Sequence, residues 1–98
     1  MALPHFRLPL RQSGIIHTTQ LAYLQADRNY TILYFEDGSR EVYSKTLKLF
    51  EASLPAEHFV RISKSYLVRR DYIDGYITKK EIKLKNGVPL KVARRRRL

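Results

Sequence analysis

No cysteine occurs among the 98 residues. That excludes disulfides and thiolate metal sites and agrees with a reducing compartment. No apolar run approaches the roughly 18 to 20 residues a membrane span needs, and the first twenty residues lack the basic start and apolar stretch of a signal peptide. A cytoplasmic location without a membrane partner is the expectation. The four glycines, Gly14, Gly38, Gly75 and Gly87, stand apart from one another, so nothing forms a glycine-rich phosphate cradle. His5, His17 and His58 are widely spaced and form no helical pair, which argues against a metal site built from one chain. Ser63 and Ser65 flank Lys64, but a lysine on a polar turn is solvated and lacks the burial that would make it a base. Neither an enzyme nor a cofactor or small-molecule substrate is expected.

Carboxylates are scarce in the second half. Residues 1 to 57 hold six cations and six anions, whereas residues 58 to 98 hold thirteen cations against Asp71, Asp74 and Glu81, the whole of the net charge of +10. So polarised an excess suits a partner carrying dense phosphate, and equally an acidic protein or an anionic lipid surface. The chain is long enough for one core and too short for two. A single domain over 1–98 is expected, with a lead-in over 1–13 and a basic tail over 94–98.

Leu3 to Leu10 carries Pro4 and Pro9 and can be at most an edge strand or an extended lead-in. Gly14 opens a short β-prone run, Ile15 to Thr18, and Leu21, Tyr23 and Leu24 begin another that ends in the polar group Gln25 to Asn29. Tyr30 to Phe35, rich in β-branched and aromatic residues, reads as a strand covered on both faces. Asp37-Gly38 turns it into Arg40 to Tyr43. Ser44 is placed to cap a helix of about ten residues with Leu47, Phe50 and Leu54 on one face, and Pro55 ends it. Tyr72 to Ile77 suggests a strand bulged at Gly75. Lys79-Lys80 leads into Glu81 to Lys85, and Asn86-Gly87 into Val88 to Val92, which Pro89 marks as an edge. The sum is a mostly β, antiparallel domain with one short helix.

Phe59 to Arg70 organises the rest. Two short strands, Phe59-Val60-Ile62 and Tyr66-Leu67-Val68, flank the turn Ser63-Lys64-Ser65, which thrusts a cation into solvent. Most of the tyrosines read as core. Tyr30 is the exception, because it follows the polar loop Asp27 to Asn29 where a strand begins. The run Arg94 to Arg97 is a solvated charge block or a contact element.

Taken in order, Tyr23-Leu24-Gln25-Ala26 leading to Asn29-Tyr30-Thr31, Asp37-Gly38, Thr46-Leu47-Lys48 with Leu54-Pro55, Phe59-Val60-Arg61-Ile62, Ser65-Tyr66-Leu67-Val68, Ile73, Gly87-Val88-Pro89-Leu90 and Val92-Ala93-Arg94 resemble a LytTR-type DNA-binding domain from about Gly14 onward. The resemblance implies small antiparallel sheets packed side by side, and DNA contact through loops rather than a recognition helix. It further implies transcription regulation in bacteria, often by two protomers on imperfect direct repeats with the duplex bent. By position, its DNA contacts fall on Asn29-Tyr30, Ser63-Lys64 and Arg94. Where the family usually carries His-Arg this chain has Ser63-Lys64, where it carries asparagine this chain has Arg69, and Ala93 replaces a serine. Those departures bear on the target sequence. In many relatives a receiver domain precedes this one, and these residues contain none.

The residues themselves suggest phosphate contacts by Lys64, Arg69, Arg70, Lys79, Lys80 and the tail, Arg95 included, with Arg28 in the first loop beside them. Arg94 suits bidentate pairing with guanine, and Lys64 can donate to the same base edge. Two other readings stay open: an adaptor whose basic face docks an acidic protein, and a single-strand or RNA binder using exposed tyrosines.

Overall fold

The structure, a computed structural model, describes residues 20 to 96 together with two short strands, β1 (His5–Phe6) and β2 (Ile16–His17). These two pair antiparallel, His5 opposite His17. The rest of the expected lead-in, the remainder of the run from Gly14 to Thr18, and Arg97 and Leu98 at the end of the tail lie outside the described residues.

Strands β3 (Leu21–Asp27), β4 (Tyr30–Phe35), β5 (Arg40–Tyr43), β6 (Phe59–Arg61) and β7 (Tyr66–Arg69) form a five-stranded antiparallel sheet in the order β5-β4-β3-β7-β6. Strands β8 (Ile73–Thr78), β9 (Glu81–Leu84) and β10 (Pro89–Lys91) form a second sheet in the order β10-β9-β8. The strand carrying Pro89 is thus at an edge, where a missing N–H costs no ladder bond. The register of β8 against β9 shifts at Gly75 and again beyond Tyr76, so the expected bulge is present.

Two apolar layers result. On one face of the large sheet Leu21, Leu24, Leu33, Tyr43, Phe59 and Leu67 pack with Leu47, Phe50 and Leu54. The opposite face contributes Ala22, Tyr23, Val60, Ile62 and Val68 to a layer shared with Tyr72 and with Ile82, Leu84 and Leu90 of the small sheet. A register shift between Leu21 and Tyr23 breaks the alternation of β3. Four consecutive residues, Leu21 to Leu24, are therefore all buried, two toward each layer.

Helix α1 (Leu47–Ser53) is shorter than its sequence pattern predicts and starts later. Thr46, not Ser44, stands at its N-cap, and no side chain caps it. Ser44 and Lys45 form the path from β5 into the helix, and the Lys45 carbonyl is held by the buried Thr31 hydroxyl (2.6 Å). Leu54, whose N–H bonds the Phe50 carbonyl (2.9 Å), closes the helix just before Pro55. Seven residues make a marginal helix in water, so Leu47 and Phe50 hold it by docking into the sheet.

Both glycine hairpins share one construction. The Phe35 carbonyl accepts from the Gly38 N–H (3.0 Å) while the Phe35 N–H donates to the Ser39 carbonyl (2.9 Å), and Leu84, Gly87 and Val88 repeat this at 2.8 and 2.9 Å. Gly38 and Gly87 sit at φ of 90° and 89°, the left-handed position of a three-residue loop that a Cβ would strain.

Candidate nucleic-acid interface

Strand direction sorts the loops of both sheets onto two ends. Because every pairing is antiparallel, the β3–β4 turn at Arg28-Asn29, the β5–α1 path over Ser44 to Thr46, the β6–β7 turn at Ser63 to Ser65, the β8–β9 turn at Lys79-Lys80 and the segment after β10 share one end. Backbone hydrogen bonds join the members of this group. The Ala26 N–H donates to the Ser65 carbonyl (2.8 Å), tying the first turn to the third. The Ala93 N–H donates to the Ile62 carbonyl (2.7 Å), and the Val92 N–H to the Lys80 carbonyl (2.7 Å). One end of the protein thus gathers Arg28, Asn29 and Tyr30, Ser63 and Lys64, and Arg94, from three segments far apart in sequence.

The electrostatics follow the same division. The loops at this end hold Arg28, Lys45, Lys64, Lys79, Lys80, Arg94, Arg95 and Arg96 and no carboxylate. Loops at the other end hold Glu36, Asp37, Glu57 and Asp71 against Arg70 and Lys85. A hollow of about 310 Å³ at that second end, lined by Gln20, Phe35, Glu36, Asp37, Ser39 and Glu41, is anionic and opposed to a phosphate partner. Two hydrogen bonds from Ser39 to Asp37 (2.8 and 2.6 Å) hold that carboxyl below its ordinary pKa. Charge is polarised between the two ends of the strands, not merely between the halves of the sequence.

Sheet geometry fixes the spacing of the tips. The β3–β4 and β6–β7 turns are two strands apart in the order β4-β3-β7-β6, which places them roughly 10 Å from each other at about 4.8 Å per strand. The major groove of B-form DNA is about 12 Å wide.

Each tip has its own local build. Asp27 pairs with Tyr30 across a two-residue turn, and Arg28 takes a left-handed φ of 57°, unusual for a side chain of its kind. Tyr30 is 51% exposed. In the β6–β7 turn the Ser63 hydroxyl accepts from the Ser65 and Tyr66 N–H groups (both 3.1 Å). Lys64 itself is exposed. The Arg96 N–H closes on the Ala93 carbonyl (2.9 Å), so Arg94 and Arg95 are the exposed corner residues of a turn.

Arg69 and Arg70 do not join this group. Arg69, expected at the phosphate surface, is only 4% exposed. Its guanidinium pairs with Glu36 (2.8 Å) and Asp71, donates to the Leu21 carbonyl (3.1 Å) and lies 5.7 Å from the Tyr72 ring centre. Burial alone would lower its pKa, and the two carboxylates more than reverse that. It fastens the far end of the large sheet. Arg70 is exposed but begins a short 3₁₀ turn (Arg70–Tyr72) at that same far end, about 17 Å along β7 from the Lys64 turn at roughly 3.3 Å per residue.

Four tyrosines are likewise absent from the surface role open to them. Tyr23 stacks on Tyr34 with ring centres 4.4 Å apart, and Tyr66 and Tyr72 lie 6.4 and 6.5 Å from Tyr23. Sequence reasoning missed Tyr76, which is exposed on β8, and Arg61, which braces the Lys64 turn. The acidic partner of Arg61, Glu51, is ten residues away on α1, beyond any local pattern.

The family model for the LytTr DNA-binding domain matches residues 12–97. Nothing among curated proteins matches. Of solved structures, one described as the LytTr DNA-binding domain of a methyl-accepting/DNA response regulator from Bacillus cereus is similar in fold, with a TM-score of 0.70 and 22% identity over 95% of this chain and 87% of that one. With the family's model spanning most of its length and the fold similar to that of this solved domain, the chain belongs to the LytTr DNA-binding domain family.

Proposed function

We propose that this protein is a sequence-specific binder of double-stranded DNA that docks through its basic end, with loops entering the major groove. The single observation behind this reading is the convergence of the Arg28-Asn29, Lys64 and Arg94-Arg95 turns on one end where the cations of the loops outnumber the flanking carboxylates Asp27 and Glu81, with two tips roughly a groove width apart. Lys79, Lys80 and the tail supply phosphate contacts that set affinity, while Lys64 and Arg94 reach base edges and set sequence. Asn29 and Tyr30 flank the first tip. Family membership supports the wider role, a cytoplasmic bacterial transcription regulator whose protomers sit in pairs on direct repeats.

Clustering of Tyr23, Tyr34, Tyr66 and Tyr72 against one another leaves few platforms for unpaired bases, which favours duplex over single strands. Selection of bound duplexes from a random pool gives the site. On that site Lys64→Ala and Arg94→Ala each lose about 1 to 3 kcal/mol and relax base preference, whereas Lys80→Ala weakens matched and scrambled duplexes alike and lowers the salt slope by about one. Equal losses on both duplexes for all three variants refute this division. Preference for heparin or an acidic protein over duplex refutes the reading itself.

A further inference from the structure

The turn carrying Lys64 is held from behind by one side chain. Arg61 Nε donates to the Ser63 carbonyl (2.6 Å) and its Nη2 to the Lys64 carbonyl (2.9 Å), while Nη1 pairs with Glu51 Oε1 (2.6 Å) on α1. The Arg61 side chain is 13% exposed, so this guanidinium faces the protein and not a ligand. A planar fork that meets three acceptors at once fixes the peptide planes on both sides of Lys64, a constraint that a point-charge ammonium cannot reproduce. Glu51 neutralises the arginine and anchors it to a helix docked in the core.

We infer that Arg61 is a positioning residue for DNA recognition: held by Glu51, it locks the Ser63–Ser65 turn so that Lys64 projects at one angle into the groove. This rests on the DNA-binding function proposed above. The lock acts on specificity, because correct base pairing needs a fixed donor direction, while phosphate attraction tolerates a swinging cation. In sequence Arg61 counts among the basic excess, yet the structure removes it from the phosphate-binding charge.

Three variants, Arg61→Ala, Arg61→Lys and Glu51→Gln, test the assignment by titration against the selected duplex and a scrambled one over a salt series. Arg61→Ala is expected to lose about tenfold or more on the matched duplex, to change by no more than about twofold on the scrambled one, and to keep the wild-type salt slope. The other two should fall between it and wild type. Amide hydrogen exchange gives a readout independent of DNA: the Ser65 and Tyr66 N–H groups should exchange faster in all three variants while core amides of β3 keep their protection. Equal losses on both duplexes with a slope smaller by about 0.9 would make Arg61 a phosphate contact and overturn the inference. Unchanged exchange at Ser65 and Tyr66 would overturn it too. Should Arg61→Ala fail to fold, Glu51→Gln and Arg61→Lys retain the guanidinium or the charge and decide the question. A wild type without preference between duplexes would refute the proposed function and leave the exchange result to judge the brace.

Discussion

Replacing Arg69 by alanine separates fold from binding more sharply than any other single change. The substitution removes a guanidinium that meets Glu36, Asp71 and the Leu21 carbonyl. Deleting one partner of a fully buried ion pair costs about 3 to 5 kcal/mol, because the other charge is stranded without water. Here the Glu36 and Asp71 side chains are 43% and 66% exposed, so water recovers them and that part of the penalty falls away. What remains is the lost hydrogen bond to the Leu21 carbonyl, about 1 kcal/mol, and the packing of a long buried stem, about 1 to 2 kcal/mol. The sum is about 2 to 3 kcal/mol, which lowers the melting temperature of a domain this size by roughly 10 to 20 °C. Urea unfolding followed by circular dichroism should show an earlier midpoint at unchanged slope. Below the transition, the salt dependence of DNA binding should equal that of wild type, since no phosphate contact is lost. A stability change under about 0.5 kcal/mol together with a salt slope reduced by about one would refute this assignment and return Arg69 to the DNA surface.

Arg28→Gly relieves a left-handed backbone at a hairpin tip and should raise stability by up to about 1 kcal/mol while weakening DNA binding through the lost cation; calorimetry and a binding titration on the same sample check both signs. Thr31→Val keeps shape but leaves the Lys45 carbonyl without its hydroxyl donor, so chemical denaturation should report a loss of about 1 to 2 kcal/mol. Burial first, and neighbouring tyrosines second, raise the pKa values of Tyr23 and Tyr66, while burial and then Glu41 raise that of Tyr43. A folded-state pKa above the unfolded one means that the stabilisation is complete below the ordinary tyrosine range and is lost as pH rises through the folded values. Tyrosinate absorbance should therefore lag that of the urea-unfolded chain in an alkaline titration, and superposition of the two curves would contradict it.

Local chemistry in the sequence determined the elements. Asp37-Gly38 and Asn86-Gly87 supply the left-handed residue their loops need, Pro55 and Pro89 mark a helix end and an edge, and Leu47, Phe50 and Leu54 set the docked face of α1. Alternation failed in β3, where the register shift sends Ala22 and Tyr23 to one layer and leaves four buried residues in a row. The turns at Asp27 to Asn29 and Ser63 to Ser65 were legible from their polar residues, whereas the basic tail at Arg94 showed its charge but not the turn it forms. Burial of Arg69 and bracing by Arg61 were not legible, since each depends on a carboxylate that only folding brings near, Glu36 from the β4–β5 loop and Glu51 from α1, even though Arg69 also has Asp71 beside it in sequence. A sequence states how much charge a chain carries. Which cations face a ligand and which are neutralised inside was decided by tertiary structure, because antiparallel pairing sends alternate loops to opposite ends and ion pairs form across that arrangement.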